Sequence, residues 1–357
     1  MNPEPTPALD GDRARLSTEE WNELCQIMNG YIYSQVLATA CEFDLFSYLS
    51  GSPGSRLEDI QKKLNLSTYS TRVLMLACCA TRLVTKNSQG GYCNSPLTEK
   101  VLVEGSGQCM TGFVQFNNRV QQRCISHLTE ALRESRNVGL IEFGGEGTNL
   151  YERLASYPEI EELFQRGMGQ YTRLSPALMD IGEFGEVRRL LDIGGGDGSN
   201  AIRLCRQHPN LRITIADIPS VAKIAAVAVQ KAALTERIDC IVLDMFQSPW
   251  PENYDAVLLS HLVEIFSPDK VRFLYRRAHQ ILSEGGRLFV WTLMANDLET
   301  EGLQAAKSSI YFLSTASGEG MAYPGTDHER WLRECGFSNV KRYNVPAIDH
   351  GGIVAMK

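Results

Sequence analysis

Long apolar runs are missing from this sequence. No stretch reaches about 18 consecutive apolar residues, the length that a membrane-spanning helix needs. The first residues, MNPEPTPALDGDRARLSTEE, also have no apolar core of the kind found in secretory signal peptides. The sequence therefore predicts a chain that is neither membrane-spanning nor secreted, and we expect it to act in the cytoplasm.

An excess of positive charge is also missing. The formal net charge is −7 at pH 7, and no cluster of Lys and Arg resembles a site for anionic lipid. Proteins that bind nucleic acid or membrane surfaces attract phosphate groups with basic patches, so this balance argues against both kinds of partner. We expect the ligands to be small molecules.

The ten cysteines show neither a C-x-x-C pair nor a zinc-ligand spacing. Such spacings are typical of zinc sites, and cysteines at regular spacings are typical of disulfide frameworks. Most of these cysteines lie among apolar residues, where a reduced cysteine packs as a small hydrophobic side chain. The pattern predicts no metal site and no disulfide framework.

The 357 residues, of which 43% are hydrophobic, are enough for about two domains with sizeable cores. Residues 1–16 are Pro-rich and polar, which predicts a disordered tail. In residues 17–108, helical periodicity is followed by a short strand, a Gly-Gly turn and a second strand, an order typical of a winged helix. Helix 69–82 is apolar and the wing has little positive charge, so we interpret this region as a dimerisation module.

Residues 109–182 are predicted to be mostly helical and to contribute to a substrate pocket, whereas strands and helices alternate from 183 to 357. Five apolar strand candidates follow one another as VRRLLDI, RITIAD, IDCIVLD, YDAVLLS and RLFVWTLM. Helix-length segments separate them. This alternation predicts a Rossmann-like α/β domain with a parallel, doubly wound sheet.

A glycine-rich turn follows the first of these strands, in LLDIGGGDGSN. Gly194, Gly196 and Gly198 let the backbone pass close to a ligand, and the next helix begins with free N–H groups. A dinucleotide fingerprint requires glycine three residues after Gly196, where this sequence has Ser199. No Arg or Lys lies near the turn to meet phosphates, so the pattern favours an adenosine with a cationic tail.

Acidic residues accompany the ends of three consecutive strand candidates, as Asp192, Asp217 and Asp244. Any one of them alone is explained by a helix N-cap or a solvated turn. Ligands of open α/β sheets bind at the carboxyl ends of the strands, so the three acids together predict a ligand site. Asp217 is placed to accept both hydroxyl groups of a ribose.

The segments LLDIGGGDGSNAIRL, ITIADIPSV and DMFQSPWPENYDAVLLSHLV resemble the S-adenosylmethionine (SAM) motifs of class I methyltransferases, in the branch of the hydroxyindole and plant phenolic O-methyltransferases. The resemblance covers about residues 22–357. It implies a winged-helix dimerisation domain, a Rossmann-like catalytic domain, SAM as cofactor and a homodimer. The cofactor residues that it implies are Asp192, Gly194 and Gly196 at the methionine part, Asp217 at the ribose, Asp244 and Met245 at the adenine, and Ser260 near the methionine carboxylate or the methyl group, with Ile218 as a further cofactor residue.

The fourth strand candidate leads into LLSHLVEIFSPDK, residues 258–270. In the phenolic O-methyltransferases this loop carries a histidine that acts as general base. Aligned on the strand and on the Pro-Asp-Lys that follows, Glu264 stands in the place of that histidine. Thr292 and Ala322 stand in the places of two acids that support it. The loss of these two acids is consistent with the replacement of the histidine by Glu264, because nearby acids would raise the pKa of a carboxylate.

Glu264 and His261 are the candidate catalytic residues. Glu264 would take a proton from the acceptor or pair with a substrate ammonium, and His261 is a second candidate base. Each has a structural alternative: a salt bridge with an Arg for Glu264, and hydrogen bonds that cap the strand end for His261. We favour the catalytic role for Glu264 and the capping role for His261. A metal held by this pair has no evident third ligand.

Residues at the pocket positions of the family are rich in aromatic side chains, which suggests a flat aromatic substrate. At helical spacing, most of them are equally explained as core residues. They are Phe113, Phe116, Asn117, Met168, Tyr171, Tyr311, Phe312 and Tyr323.

The leading hypothesis is a SAM-dependent methyltransferase acting on a small aromatic molecule in specialised metabolism, such as antibiotic biosynthesis. Because the usual histidine is absent, carbon and nitrogen acceptors are as well supported as oxygen. One alternative is a SAM-binding enzyme that catalyses rearrangement, cyclisation or hydroxylation. Another is a catalytically silent dimeric binding protein, against which the retained Gly194, Asp217 and Asp244 argue.

Overall fold

A computed structural model describes residues 16–174 and 176–357. The chain divides into two compact units, the first ending at Glu99 and the second running from Lys100 to Lys357. All but the last residue of the predicted disordered tail, 1–16, lies outside the described residues. None of the described helices combines the length and the apolar character that crossing a lipid bilayer requires.

The first unit is helical with a small antiparallel ribbon. Helix α1 begins after Ser17, whose hydroxyl accepts a hydrogen bond from the Glu20 N–H while the Glu20 carboxylate accepts one from the Ser17 N–H, a capping box. The order of helix, helix, strand, turn and strand agrees with the predicted winged helix. The elements are α1 (Thr18–Glu42), α2 (Leu45–Gly51), α3 (Leu57–Leu64), α4 (Thr68–Ala80), β1 (Val84–Lys86) and β2 (Tyr92–Asn94), with α5 (Pro96–Val101) across the boundary.

Helix α1 exposes an unusual amount of apolar surface. Its exposed large side chains are Trp21, Leu24, Ile27, Met28, Tyr31, Ile32 and Tyr33. A contiguous exposed apolar surface of this kind marks an interaction site in soluble proteins. This is the surface that a dimerisation module requires.

The second unit opens with helices, as predicted for residues 109–182. They are α6 (Thr111–Phe116), a π-helical turn (Asn117–Gln121), α7 (Gln122–Cys124), α8 (Leu128–Glu134), α9 (Leu150–Leu154) and α10 (Pro158–Leu174). Short 3-10 helices at Ile125–His127, Val138–Glu142, Pro176–Asp180 and Gly182–Glu186 connect this part to the sheet.

A seven-stranded sheet forms the centre of the second unit, in the order β5-β4-β3-β6-β7-β9-β8. Its strands are β3 (Arg189–Ile193), β4 (Arg212–Asp217), β5 (Ile238–Val242), β6 (Tyr254–Ser260), β7 (Leu282–Leu293), β8 (Ser338–Val345) and β9 (His350–Met356). The helices between them are α11 (Ser199–Gln207), α12 (Pro219–Lys231), α13 (Pro268–Ile281), α14 (Leu303–Tyr311) and α15 (Gly325–Glu334). A 3-10 turn (Val263–Ile265) follows β6, a π-helical turn (Phe312–Ala316) follows α14, and a 3-10 turn (Pro346–Ile348) joins β8 to β9.

The sheet is mixed rather than wholly parallel, which corrects the sequence-based expectation. Strands β3 to β7 are parallel neighbours, but β9 pairs antiparallel with both β7 and β8. The sequence patterns of β8 and β9 explain why they were missed. Strand β8 is a half-exposed edge strand, and β9 begins with His350 and two glycines, which are poor strand formers.

The central strands are buried on both faces. In β6, Val257 and Leu259 pack into one hydrophobic cluster, whereas Ala256 and Leu258 pack into another. Consecutive strand residues point to opposite faces, so this alternation means that both faces of the sheet are covered. The carboxyl ends of β3 and β6 lie at the point where the strand order reverses, which is where an open α/β sheet binds its ligand.

Candidate active site

A cavity of about 830 Å³ opens at this edge of the sheet, within the second unit. Its size is that of a pocket for small molecules. Residues from the glycine turn, from the carboxyl ends of β4, β5 and β6, and from α10 and α14 line it. It therefore joins the predicted cofactor residues to the predicted catalytic loop.

The glycine turn borders this cavity with bare backbone. Gly194, Gly196 and Gly198 have positive φ angles of 68°, 60° and 78°, a region that side-chain-bearing residues avoid. A Cβ atom built on Gly196 would meet no atom within 4 Å, so the turn faces open space there. The predicted close approach of the backbone to a ligand has room to occur at this position.

Asp217 and Asp244 both line the cavity and are held by backbone N–H groups. The Asp217 carboxylate accepts hydrogen bonds from Gly196 N–H at 2.9 Å and Ile218 N–H at 2.8 Å, and burial nevertheless raises its pKa. The Asp244 carboxylate accepts bonds from the N–H groups of Phe246 and Gln247. Ile218 and Met245 lie beside these acids in the cavity wall.

Asp192 does not line the cavity, contrary to its predicted place at the strand edge. It lies inside β3, 1% exposed, beneath the turn, where a Cβ built on Gly195 would come within 2.8 Å of its Oδ2. Among the described residues neither carboxylate oxygen has a hydrogen-bond partner. Burial and the charge of Asp217 raise the pKa of Asp192 to about 7. Of the three predicted acids, only Asp217 and Asp244 therefore line the cavity.

The loop after β6 brings His261 and Glu264 together. His261 has a φ of 51°, and its N–H donates to the Trp291 carbonyl at 2.7 Å, which turns the chain away from the sheet. The short 3-10 turn that follows places residues three apart on one side. Nδ1 of His261 lies 3.2 Å from Oε1 of Glu264. Ser260, just before the loop, accepts a hydrogen bond from Asn200 and lines the cavity.

Glu264 is the buried member of this pair, with a side chain 3% exposed against 19% for His261. Burial alone would raise its pKa, but the hydrogen bond and charge of His261, together with the Thr292 hydroxyl, hold the pKa below its usual range. Glu264 pairs with His261 and not with an Arg, so the salt bridge considered for it is absent from the described residues. The Thr292 hydroxyl donates to the Leu293 carbonyl at 3.3 Å, and Oε2 of Glu264 is buried without a hydrogen-bond partner among the described residues.

The sequence favoured Glu264 as the catalytic residue, and the geometry offers His261 as a second assignment. A carboxylate with a lowered pKa is a weak base, whereas imidazole is a common general base. In the tautomer that carries its proton on Nδ1, His261 donates to Glu264 and keeps Nε2 as an acceptor, which is buried and has no partner among the described residues. His261 is thus arranged as a base oriented by a carboxylate, and the strand-capping bond comes from its backbone.

His350 and Tyr171 pack around the ring of His261, with ring centroids 5.0 Å and 6.0 Å away. Burial and the charge of His261 lower the pKa of His350 to about 4, so His350 is neutral near pH 7. Burial and the charge of Glu264 raise the pKa of Tyr171 to about 12. Neither neighbour competes with His261 for a proton near pH 7.

Most of the predicted pocket residues line the cavity, namely Phe113, Met168, Tyr171, Tyr311 and Phe312. Phe113 and Tyr171 stack with centroids 5.0 Å apart and ring planes at 18°, so together they form one continuous aromatic part of the cavity wall. Residues 148–165 add further lining that sequence patterns did not single out, including Tyr151 and Phe164.

Phe116, Asn117 and Tyr323 do not line the cavity. Phe116 is fully buried and packs edge-on against Phe164 and Tyr311, so it lies behind the wall. Asn117 begins a π-helical turn, and its Oδ1 is buried without a described partner. Tyr323 donates its hydroxyl to the carbonyl groups of Phe266 and Glu319, which holds it in the core.

Lys307 is a lining residue that the sequence interpretation missed. The cavity face of α14 consists of Gln304, Lys307, Ser308 and Tyr311. These positions follow the helical spacing, so counting one turn back from Tyr311 would have found Lys307.

No group of three or more His, Cys, Asp or Glu in the described part of the chain is arranged to hold a metal ion.

The charge of the wall fits SAM, whose sulfonium group is cationic. Acidic residues predominate among the described lining residues: Glu152, Glu161, Asp197, Asp217, Asp244, Glu264 and Glu319. Lys270 and Lys307 are the only lysines of that lining, which contains no arginine, and neither belongs to the glycine turn. A dinucleotide or a nucleotide phosphate would lack the cations that such groups require.

Two family models match the chain, an O-methyltransferase domain over residues 125–338 and an O-methyltransferase dimerisation domain over residues 25–104. The chain is 31% identical over 338 residues to the L-tyrosine C(3)-methyltransferase of Streptomyces lavendulae, with 94% of this chain and 92% of that protein covered. It is 29% identical over 333 residues to the 3-hydroxy-5-methyl-1-naphthoate 3-O-methyltransferase of Streptomyces sahachiroi, covering 93% and 94%.

A solved structure shares the fold along nearly the whole chain. The apo form of the S-adenosylmethionine-dependent methyltransferase SibL superposes with a TM-score of 0.81 at 33% identity, covering 95% of this chain and 99% of that one. Together with the matches above, it supports methyl transfer over rearrangement, cyclisation, hydroxylation or a silent binding role.

Proposed function

Because the chain belongs to the O-methyltransferase family and is a SAM-dependent methyltransferase of small molecules, we propose that it methylates a ring carbon next to the hydroxyl group of a phenol. The observation that carries the proposal is the His261–Glu264 pair. By the resemblance to the phenolic O-methyltransferases, the histidine that acts on oxygen would stand at the position of Glu264, whereas here a carboxylate occupies that position and contacts a histidine three residues earlier. A base at a different position favours a different acceptor atom.

The similarity to a methyltransferase that acts on carbon 3 of L-tyrosine supports this choice of atom. The stacked Phe113 and Tyr171 supply a wall against which a flat ring packs. Both relatives named above methylate phenols, and we place this reaction in specialised metabolism like theirs. We also propose a cytoplasmic location, where reduced thiols are stable and the ten cysteines remain free.

The cofactor end has a distinct set of residues. Asp217 would accept the ribose hydroxyl groups, Asp244 would face the adenine with Met245 and Ile218 packed around it, and Gly194 and Gly196 would border the methionine part. Ser260 would lie near the methyl group. When bound, SAM supplies a methyl group that its sulfonium already activates, so the enzyme's task is alignment and proton removal.

His261 performs the proton removal. Its Nε2 takes the phenolic proton, and Glu264 stabilises the imidazolium that results. The charge left on the phenol spreads from the oxygen to the neighbouring ring carbons, which makes such a carbon the nucleophile. After methylation, that carbon loses its hydrogen as a proton to solvent, which restores the aromatic ring as a phenolate, and the imidazolium of His261 returns its proton to the phenolate oxygen. Tyr171 and Phe113 hold the ring flat and exclude water from this end.

Ring-deuterated phenols test the choice of carbon. We expect L-tyrosine carrying deuterium at both carbons beside the hydroxyl group to gain a methyl group and lose one deuterium, as read by mass spectrometry. A product that gains a methyl group and keeps both deuterium atoms would instead assign the oxygen or the nitrogen. A panel of phenols treated in the same way extends the test beyond tyrosine.

We further propose that α1 forms the homodimer interface that the dimerisation domain implies. Its exposed side chains include Ile27 at 75% and Tyr31 at 65%, which an isolated chain would leave in water. The double substitution Ile27→Asp and Tyr31→Asp is expected to give a monomer by light scattering. The matched substitution Leu132→Asp, at an exposed apolar residue of α8, is expected to leave the dimer intact. A dimer that survives the double substitution contradicts the interface.

A further inference from the structure

Lys307 is the one cavity-lining lysine without an acidic partner in the described chain. Lys270, the other lysine of the wall, forms an ion pair with Glu319. No described ion pair or hydrogen bond involves Lys307, and its neighbour is the ring of Phe113, whose centroid lies 5.0 Å from Nζ. Burial lowers the pKa of Lys307 to about 8, with no acid nearby to oppose it.

Lys307 is half-buried, and its ammonium group lies over the ring of Phe113 with no counter-charge from the described chain. A partly desolvated ammonium group is stabilised by a counter-charge or by hydrogen bonds. The group lies on the cavity face of α14, one helical turn from Tyr311, so a ligand in the cavity is in position to supply that counter-charge.

Lys307 and the catalytic base lie along one aromatic wall. The Phe113 ring contacts Lys307 on one side and stacks on Tyr171 on the other. The Tyr171 ring in turn contacts His261, with centroids 6.0 Å apart. A ligand that lies along the edges of these two stacked rings has Lys307 toward one end and His261 toward the other.

We propose that Lys307 binds a carboxylate of the aromatic acceptor, so the substrates of this enzyme are phenols that carry a carboxylate. The inference rests on the proposed function for the phenol and adds the acid group. The ammonium pairs with the carboxylate and positions the ring, with its hydroxyl group at the opposite end near His261. The other charged residues of the described lining are acidic apart from Lys270, which pairs with Glu319, so Lys307 also selects the orientation in which the carboxylate enters.

Binding of acids and their amides separates this proposal from the proposed reaction. Calorimetric titrations would use L-tyrosine, 4-hydroxyphenylacetate and 3-hydroxy-1-naphthoate, each against its carboxamide, with enzyme saturated by S-adenosylhomocysteine. We expect the wild-type enzyme to bind at least one acid about tenfold or more tighter than its amide, and Lys307→Met to remove that preference. Equal affinity for every acid and its amide in the wild type overturns the proposal, whether or not the enzyme methylates phenols.

Steady-state kinetics with the preferred acid give the second readout. Lys307→Met, which keeps an unbranched apolar side chain, is expected to raise KM about tenfold to 100-fold with kcat within about twofold. Lys307→Arg is expected to recover part of the lost affinity. The dissociation constant of SAM should not change. A weaker SAM affinity in Lys307→Met, or an equal loss with acid and amide, would assign Lys307 to the cofactor or to folding and refute the proposal. If acids bind as expected but no ring carbon is methylated, the proposed reaction fails and the carboxylate site stands.

Discussion

At the cofactor end of the cavity, Asp217 and Asp244 accept hydrogen bonds from backbone N–H groups within a few residues of a strand end or of the glycine turn. At the acceptor end, the side chains come from the loop after β6 and from helices α6, α10 and α14, and they hold one another. Backbone donors are present whatever side chains surround them. The first end therefore keeps its geometry through local structure, and the second depends on packing between distant segments.

Because of this difference, we expect SAM binding and proton transfer to respond to different substitutions. Changes at the cofactor end should alter SAM affinity and leave proton transfer intact, whereas changes at the acceptor end should do the reverse. Four substitutions test that separation, and each has a control outside the cavity or a conservative counterpart.

His261→Ala is expected to have the largest effect. Removing a general base costs about 10²-fold to 10⁴-fold in rate, so kcat should fall by that factor while the dissociation constant of SAM stays unchanged. Single-turnover assays and calorimetry measure the two quantities. His127→Ala is the matched control, because His127 also pairs with a glutamate, Glu142 at 3.0 Å, but does not line the cavity. Normal turnover in His261→Ala would remove the base assignment.

Asp217→Ala should weaken SAM binding by about tenfold to 100-fold, because hydrogen bonds to charged groups contribute about 1.5–3 kcal/mol. At saturating SAM, kcat should remain close to that of the wild type. Asp255→Ala controls for the loss of a backbone-held acid, since Asp255 accepts the N–H groups of Arg188 and Arg189 away from the cavity. If Asp217→Ala and Asp255→Ala have the same SAM affinity, the ribose assignment is wrong.

Glu264→Gln should lower kcat about tenfold, equivalent to about 1.4 kcal/mol of barrier, because the amide holds the ring of His261 without stabilising its positive charge. The double variant with His261→Ala should be no slower than His261→Ala alone, since the two residues act as one unit. Glu142→Gln makes the same chemical change at the His127 pair, outside the cavity lining, and should retain turnover. Additive losses in the double variant would mean that Glu264 acts independently of His261.

Thr292→Val should have the smallest effect, a decrease in kcat of about twofold to fivefold, because a hydroxyl group that helps to lower the pKa of Glu264 is lost. Thr292→Ser keeps the hydroxyl group and should restore turnover. SAM affinity should be unchanged in both variants. A Thr292→Val enzyme with full turnover would show that Glu264 needs no support from β7.

Most of the fold was predictable because its signals are local. The strands that end in Asp217 and Ser260 have the predicted bounds, and α13 begins at Pro268 after Ser267, although the Ser267 side chain makes no capping bond. Each of these elements has a recognisable residue periodicity and characteristic end residues. Strands β8 and β9 were not predicted because an exposed edge strand and a glycine-containing strand have neither signal.

The site was most predictable at its cofactor end. Asp217 and Asp244 were correctly expected to face the cavity, because a strand end followed by a turn leaves little choice of direction. Asp192 does not line the cavity because it is still paired with Ile215 inside β3, where the glycine turn covers its carboxylate. Phe116 and Tyr323 were misplaced because residues that pack behind an aromatic wall have the same composition as the wall.

The amino-acid sequence by itself determined the SAM-binding turn, the acids that follow two of the strands and the replacement of the family histidine by Glu264, because each is a matter of residues adjacent in the chain. Only the tertiary structure decided that His261 faces the cavity with Glu264 behind it, and that Lys307 faces the same cavity unpaired. Those outcomes depend on a left-handed turn at His261, a hydrogen bond to Trp291 and the rotation of α14. The hydrogen bond and the rotation are set by packing between segments that lie far apart in sequence, and no local sequence pattern encodes that packing.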